Sequence, residues 1–309
     1  MPYVFGPVPS RRLGLSLGVD LVPFKTCTYD CIYCQLGCTT RLTTERREWA
    51  PVEPLLAELK EKLEPRPDYI TFSGSGEPTL HSRLGEIIER IKAMTDVPVA
   101  VLTNGSLLWQ PEARASLRRA DLVSPSLDAG DAAAFEAVNR PPAGFSFERM
   151  VAGLEAFRGE FSGQYWLEVF VLAGYTGTVE AMRRIAACAA RIRPDRVQLN
   201  TVSRPPAEGF ARGVSREQLL EFAPLFTPPA EIIAEFPHAA RAPGAPAGID
   251  DVLDLIRRHP ATARDVAEGL GLAQAHADGY IGGLLAAGRI VAAPVGALVY
   301  YRASTSSSR

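Results

Sequence analysis

Three closely spaced cysteines form the most chemically specific pattern in this sequence. Cys27, Cys31 and Cys34 have the spacing CxxxCxxC, Cys38 follows four residues later, and Cys188 lies far along the chain. Thiolates this close on one loop can hold a soft metal centre, either zinc or an iron–sulfur cluster. A closed zinc site needs a fourth ligand, which Cys38 could supply. A four-iron cluster held by three cysteines leaves one iron free for a small molecule to chelate.

Further polar and glycine-rich residues follow the predicted strands. They are Ser73-Gly74-Ser75-Gly76-Glu77-Pro78 after strand two, Thr103-Asn104-Gly105 after strand three, Ser126-Leu127-Asp128 after strand four and Asn200-Thr201 after strand six. Each is also a common turn sequence, and Asp131 is expected to cap the helix Ala132–Val138. Parallel α/β sheets bind ligands at the carboxyl ends of their strands, so together these residues predict one site at that rim.

The elements that would position these residues alternate regularly between strand and helix. The predicted strands are Leu15–Val22, Tyr69–Ser73, Val99–Thr103, Leu122–Ser126, Trp166–Leu172 and Val197–Thr201. The predicted helices between them are Val52–Leu63, Leu84–Met94, Glu112–Arg119, Phe147–Phe157 and Val179–Arg191. Such alternation predicts parallel βαβ units with right-handed crossovers, in either an open doubly wound sheet or a partial barrel.

The cysteine and glycine motifs together resemble the radical S-adenosylmethionine (SAM) superfamily. The likeness rests on CxxxCxxC, on the aromatic Tyr33 before the last cysteine, and on Gly-Ser-Gly-Glu-Pro after the next strand. The finer pattern in residues 6–12, 33–37 and 126–131 is similar to the branch that includes the tRNA wybutosine-synthesis enzymes. The wybutosine enzyme carries extra N-terminal cysteines for a second cluster, and this chain has none before Cys27, which argues against the wybutosine reaction itself.

The resemblance implies an α/β fold with a partial (βα)6 TIM-like barrel, a [4Fe-4S] cluster and SAM. Electron transfer from the reduced cluster would cleave SAM to a 5′-deoxyadenosyl radical that abstracts hydrogen from a substrate. Cys27, Cys31 and Cys34 would hold the cluster, and Tyr33 would pack against the adenine. The implied SAM-binding residues are Gly74, Ser75, Gly76 and Glu77 at the methionyl ammonium, with Thr103, Asn104, Ser126, Asp128 and Asn200 at the later strand tips.

The two remaining cysteines have separate interpretations. Cys38 is a thiol near the site, either a candidate for a catalytic or redox role or only a loop residue. Cys188 lies three residues after Ile185, beside the apolar face of a predicted helix, so a buried core thiol is expected there.

The C-terminal part predicts a second domain. Residues 1–236 would form the barrel, 237–248 a Pro/Ala/Gly linker, 249–303 a winged helix-turn-helix and 304–309 a disordered tail. The winged helix would comprise Ile249–Arg258, Thr262–Leu270, Ala273–Ala287 and a hairpin of Arg289–Ala293 with Ala297–Arg302. Its third helix contains no Lys or Arg, and six Asp/Glu balance six Arg from Asp250 onward, which argues against specific DNA binding.

Charge and composition limit the remaining function classes. The chain carries 33 basic and 35 acidic side chains, and 47% of its residues are apolar. This balance argues against an extended basic surface for nucleic-acid phosphates and leaves a local basic patch open, and the apolar content excludes wholesale disorder. No apolar run approaches the roughly 18–20 residues that span a bilayer, and no signal peptide is recognisable, so no membrane contact and a cytoplasmic, reducing location are expected.

The resemblance therefore implies a radical SAM enzyme, with a nucleoside in tRNA as the substrate by analogy to the branch and a peptide or a small metabolite as the alternative. Its expected partners are SAM, an electron donor such as flavodoxin or ferredoxin, and RNA. Arg11 and Arg12, expected near the barrel mouth, could contact an anionic substrate. Two rivals from other classes are an iron–sulfur redox sensor that binds DNA and a zinc-stabilised binding protein.

Overall fold

A computed structural model describes residues 2–10, 12–64, 66–234, 248–258, 260–295 and 298–304. Its strands are β1 (Val4–Ser10), β2 (Gly14–Val19), β3 (Thr26–Cys27), β4 (Arg41–Leu42), β5 (Tyr69–Phe72), β6 (Val99–Thr103), β7 (Leu122–Pro125), β8 (Gln164–Val171), β9 (Arg196–Thr201), β10 (Glu231–Ile232), β11 (Ile290–Val295) and β12 (Leu298–Ala303). Its helices are α1 (Val52–Glu61), α2 (Leu84–Met94), α3 (Pro111–Leu117), α4 (Ala132–Asn139), α5 (Phe147–Glu160), α6 (Val179–Ile192), α7 (Arg216–Phe222), α8 (Ile249–Arg258), α9 (Ala263–Leu270) and α10 (Gln274–Ala286).

The main sheet has the strand order β1-β2-β5-β6-β7-β8-β9-β10. From β2 to β10 neighbouring strands are parallel and follow one another in chain order. A doubly wound sheet would instead reverse its order at a switch point. The fold is therefore the partial barrel, and the predicted α/β class is confirmed.

The N-terminal strand β1 was not predicted from the sequence. It pairs antiparallel with β2, and a bulge lies between Phe5 and Val8. Pro7 and Pro9 argue against a strand at this position, because proline has no N–H group to donate to the backbone hydrogen bonds of a central strand. As the first strand of the order, β1 has its pairing partner on one side only, which is where proline is tolerated.

The barrel core lies between the strands and the surrounding amphipathic helices. In α6 the predicted apolar residues Met182, Ile185, Ala189 and Ile192 are all buried. Cys188 is buried in the same core cluster, which confirms the core thiol. Asp131 caps α4 by accepting a hydrogen bond from Ala134 N–H, as predicted. In the described part of the chain, each helix is too short or too polar to cross a membrane.

The C-terminal part contains three helices and a hairpin, close to their predicted positions. These elements enclose their own apolar cluster, which includes Val252, Ile281 and Leu284, and Val8 of β1 packs against it. Thr262 and Asp265 form a capping box at the start of α9. The winged-helix assignment and the domain boundaries stay predictions. Most of the predicted linker (237–247) and of the tail (305–309) lies outside the described residues.

Candidate functional site

A cavity of about 420 Å³ lies inside the barrel. The predicted site residues that line it are Cys27, Tyr33, Cys34, Gly74, Gly76, Ser126 and Asn200. The predicted site residues outside its lining are Cys31, Cys38, Ser75, Glu77, Thr103, Asn104 and Asp128. The structure thus brings the cysteine loop, the glycine-rich loop and two later strand tips around one space.

The cysteine loop begins on the short strand β3, which pairs with β4. Desolvation raises the pKa of the Cys27 thiol to about 12 and that of Cys31 well above its usual value, and neighbouring thiols add to both shifts. Cys27, Cys31 and Cys34 therefore lie close enough to interact. A metal centre that binds them would displace the thiol protons, because the thiolate is the form that ligates metal.

Each of these three sulfurs faces one nitrogen donor. Lys25 Nζ lies 3.2 Å from Cys34 Sγ. Asn104 Nδ2 lies 3.5 Å from Cys27 Sγ, and Asn139 Nδ2 lies 3.4 Å from Cys31 Sγ. Sequence reasoning missed Lys25 and Asn139, although a lysine two residues before the first cysteine was a visible signal. Cys38 is exposed and outside the cavity lining.

The glycine-rich loop lies directly against the cysteine loop. Lys25 N–H donates to Ser75 O at 2.6 Å, and Glu77 N–H donates to Thr26 O at 3.2 Å. A Cβ atom on Gly76 would lie 1.9 Å from Thr26 O, and one on Gly74 would lie 2.3 Å from Asp20 Oδ1. Gly74 also has a φ of +110°. Gly76 therefore requires glycine because side-chain carbon cannot fit between the two loops, and Gly74 requires it because of its φ and its contact with Asp20.

Glu77 is a buried anchor of this loop. Its carboxylate accepts hydrogen bonds from Thr79 N–H at 2.9 Å, from the Thr79 and Thr103 hydroxyls at 2.6 Å each, and from Asn104 N–H at 2.8 Å. Burial raises its pKa despite these donors. Glu77 thereby ties the loop after β5 to the end of β6. Its contact with a methionyl ammonium stays a prediction.

A second buried carboxylate orients the aromatic wall of the cavity. Tyr33 stacks on Phe170 with ring centroids 4.0 Å apart. Asp128 accepts hydrogen bonds from Tyr33 OH at 2.5 Å, Asn139 Nδ2 at 2.8 Å and Phe170 N–H at 3.0 Å. Burial raises the pKa of Asp128 to about 6. Asp128 positions both rings, and its predicted contact with SAM stays a prediction.

This arrangement of motifs agrees with the comparison to protein families. The sequence model of the Radical SAM superfamily matches residues 21–186, which include both loops. The chain belongs to the radical SAM superfamily. It is therefore an enzyme of the radical SAM type, as the motifs predicted.

Three similar proteins illustrate the relationships of this radical SAM enzyme. A GTPase Obg of Brachyspira hyodysenteriae is 42% identical, covering 85% of this chain but 40% of that relative. A UPF0026 protein of Methanocaldococcus jannaschii is 35% identical, covering 73% of this chain and 71% of that protein. The structure of TYW1 with a lysine-pyruvate adduct bound has a TM-score of 0.53 at 17% identity, covering 73% of this chain and 76% of that one.

The first comparison concerns only part of its relative, because this chain spans about two fifths of that protein's length. The GTPase name belongs to the relative. Gly-Lys-Ser/Thr, which ends a P-loop, occurs nowhere in this sequence. The likeness to TYW1 shows a shared fold.

Radical SAM enzymes use a [4Fe-4S] cluster and SAM, and the described residues fit this pair. All three proposed ligands are cysteines, and thiolates are the ligands that hold [4Fe-4S] clusters. Each of the three sulfurs also faces a nitrogen donor, and hydrogen bonds to the sulfurs are typical of iron–sulfur sites. The donor set therefore fits the cluster.

Arg12 lines the same cavity as Cys27 and Cys34, although not from the predicted mouth, and Arg11 lies outside the described residues. Ser10 pairs with Gly14, so the turn that carries Arg12 lies at the start of β2, opposite the cysteine loop. Arg12 Nη2 pairs with Glu168 Oε2 at 2.7 Å, and Arg12 Nη1 donates to Gln198 Oε1 at 3.2 Å. The strand β1, which was not predicted, runs antiparallel to β2. The turn between them therefore carries Arg12 to the barrel floor, the end of the barrel where the parallel strands begin.

Glu168 joins the floor to the strand tips. Its Oε1 accepts a hydrogen bond from Asn200 Nδ2 at 2.9 Å, and its backbone bridges to Ser126. Sequence reasoning missed Glu168. The available signal was an acidic residue in the middle of a buried apolar strand, where carboxylates are rare unless paired.

We expect Arg12→Met to destabilise the enzyme by about 3 kcal/mol, because it removes an ion-pair partner from the mostly buried carboxylate of Glu168. The side chains of Arg12 and Glu168 are 13% and 15% exposed. Urea unfolding followed by circular dichroism measures the effect. Arg66→Met is the matched control, because Arg66 pairs with Asp96 on the surface, where the two side chains are 60% and 79% exposed. Equal losses in both variants would contradict the prediction.

Proposed function

We propose that Cys27, Cys31 and Cys34 hold the cluster of this radical SAM enzyme and that the loop from Gly74 to Glu77 holds the methionyl end of SAM. The observation that carries the proposal is the backbone contact between Lys25 and Ser75, with an N···O distance of 2.6 Å. It places the loop that would present SAM directly beside the loop that would present the free iron. The substrate of such an enzyme would enter the same cavity.

The chain's own residues would bind and orient the cofactors. Backbone carbonyls of the glycine-rich loop would accept hydrogen bonds from an ammonium group, since both glycines leave the backbone open to the cavity. The stacked rings of Tyr33 and Phe170 offer an apolar face for adenine. When bound, the two cofactors supply one-electron cleavage of a carbon–sulfur bond and a group that abstracts hydrogen. The surrounding barrel would keep water from the reaction.

Anaerobic reconstitution tests this proposal. Protein loaded with iron and sulfide should be brown and should convert SAM to 5′-deoxyadenosine and methionine when dithionite supplies electrons. The oxidised protein with the same SAM is the control and should give no product. A colourless protein that binds zinc, or a reduced cluster protein that leaves SAM intact, would overturn the proposal. In the cell, the electron would come from a donor such as flavodoxin or ferredoxin.

We further propose a nucleoside in RNA as the substrate. The branch-level similarity in residues 6–12, 33–37 and 126–131 supports this choice. A cavity of about 420 Å³ is too small for folded RNA, so an RNA substrate would have to present a single extruded nucleoside at the cavity. The test is the stimulation of 5′-deoxyadenosine formation by tRNA. Stimulation that survives nuclease digestion of the tRNA would favour a small metabolite, and stimulation removed by a protease would favour a peptide.

We propose that residues 249–303 form a winged helix that contacts the barrel or a substrate macromolecule rather than DNA. This proposal is supported by α10, whose 13 residues include no Lys or Arg. The apolar Leu298 and Val299 of β12 are exposed and would suit such a contact. The redox-sensing DNA-binding alternative requires a basic recognition helix, which this sequence lacks.

A further inference from the structure

The three proposed cluster ligands are each approached by a different side-chain donor. Lys25 faces Cys34, Asn104 faces Cys27, and Asn139 faces Cys31, with N···S distances of 3.2, 3.5 and 3.4 Å respectively. The donors come from the loop before Cys27, the end of β6 and the end of α4, which are distant in sequence. Each of these three elements therefore directs one N–H group at a different sulfur.

The orientations of the two amides follow from their other contacts. Ser106 N–H, which can only donate, lies 3.0 Å from Asn104 Oδ1. Asn104 Nδ2 must therefore face Thr28 Oγ1 at 2.7 Å and the sulfur of Cys27. Asn139 Nδ2 lies 2.8 Å from the carboxylate of Asp128, which accepts hydrogen bonds. The same NH2 group then has its second hydrogen for Cys31, because an amide nitrogen carries two.

Lys25 is held even more firmly than the amides. It is 2% exposed, and its φ of +56° lies in the left-handed region, which a non-glycine residue adopts only when its surroundings require it. Its N–H donates to Ser75 O, and its carbonyl accepts from Thr40 and Arg41 N–H at 3.1 Å each. Its ammonium group contacts the sulfur of Cys34.

We propose that Lys25, assisted by Asn104 and Asn139, raises the reduction potential of the cluster and so makes it reducible by a cellular donor. The inference rests on the ligand set proposed above. Reduction adds one electron from an external donor to the cluster, and no bond forms or breaks. A buried cation and hydrogen bonds to the sulfurs stabilise the added negative charge, which favours the reduced state. These three side chains are positioning residues that act through the cysteines.

Potentiometric titration of the reconstituted full chain, followed by electron paramagnetic resonance, tests the proposal. Lys25→Met removes the charge and the donor while preserving side-chain length. At a fixed solution potential we expect its ratio of reduced to oxidised cluster to fall about tenfold, a shift of about 59 mV to more negative values for one electron. Asn104→Ala should shift the potential in the same direction by less, and Lys25→Arg should restore most of the wild-type value.

Lys62→Met is the matched control. Lys62 donates to Val4 O at 2.6 Å and to Glu58 at 2.9 Å, and it does not line the barrel cavity. Its loss changes the net charge equally, so an unchanged potential is expected. If Lys25→Met keeps the full iron and sulfide content and the wild-type potential, the inference is wrong. If Lys25→Met holds no cluster, an unchanged potential in Asn104→Ala overturns the inference, and a negative shift supports it.

A separate outcome concerns the proposed function. Wild-type protein that assembles no cluster would refute the ligand set of Cys27, Cys31 and Cys34 itself. Wild-type protein that assembles the cluster and cleaves SAM, with potentials insensitive to Lys25 and Asn104, would refute only the inference. The two failures are therefore distinguished by the iron content of the wild type.

Discussion

Replacing Cys31 by alanine is expected to abolish reductive cleavage of SAM. The cluster would lose one of its three proposed protein ligands, and the remaining two would not hold it stably. The loop itself should survive, because Ile32 N–H donates to Val138 O at 3.0 Å and Asp30 N–H to Asn139 O at 3.1 Å without the thiol. We expect a loss of 5′-deoxyadenosine formation of about 10⁴-fold or more, the size seen when an essential catalytic group is removed. Product analysis and the bound iron per chain measure this loss.

Cys188→Ala is the matched control for Cys31→Ala. Cys188 is 7% exposed within the apolar core around α6, outside the cavity lining. Its variant should keep the cluster and SAM cleavage, with only a modest loss of thermal stability. Activity in Cys31→Ala equal to that of Cys188→Ala would refute the ligand assignment. Loss of the cluster in Cys38→Ala would add that exposed thiol to the ligand set.

Gly76→Ala is expected to cause the second large loss, through backbone displacement rather than through a missing ligand. The new Cβ would lie 1.9 Å from Thr26 O and 2.9 Å from Val22 Cγ2, so the glycine-rich loop must move away from the cysteine loop. Binding SAM requires the wild-type position of the loop, and returning the loop to that position against the overpacking costs about 1–3 kcal/mol. At the upper end this corresponds to about 100-fold weaker SAM binding. Equilibrium binding of SAM to the oxidised, cluster-loaded variant measures the effect.

Gly159→Ala provides the control for a glycine substitution. A Cβ at Gly159, near the end of α5, would meet no atom within 4 Å. Alanine favours helix relative to glycine, so this variant should be as stable as wild type or slightly more so. It should also bind SAM normally. If Gly76→Ala keeps wild-type SAM affinity, the packing of the two loops does not form the SAM site.

Much of the fold was predictable because its signals are local. Each predicted boundary of the barrel helices and strands from β2 to α6 lies within three residues of the observed one. Apolar spacing distinguishes strand from helix without reference to distant residues. The strand β1 escaped prediction because its two prolines are acceptable only at an edge, and an edge is a property of the assembled sheet.

The sequence predicted which loops form the candidate site, but it did not predict which buried side chains contact each other there. The sequence motifs identified the cysteine loop and the glycine-rich loop, and both meet at the cavity. The motifs did not reveal that Glu77 and Asp128 use their carboxylates on protein donors. Such contacts depend on which strands become neighbours, and sequence spacing within one loop carries no information about them.

The amino-acid sequence alone determined the class of chemistry, because ligand type and spacing are local properties of one loop. Cys27, Cys31 and Cys34 specify a soft metal centre wherever that loop is placed. Only the tertiary structure decided which side chains surround the three sulfurs and where Arg12 lies. Lys25, Asn104 and Asn139 converge from three separate elements, and Arg12 reaches the barrel floor because β1 runs antiparallel. Hydrogen bonds act over about 3 Å, so their partners are set by chain folding and not by distance along the sequence.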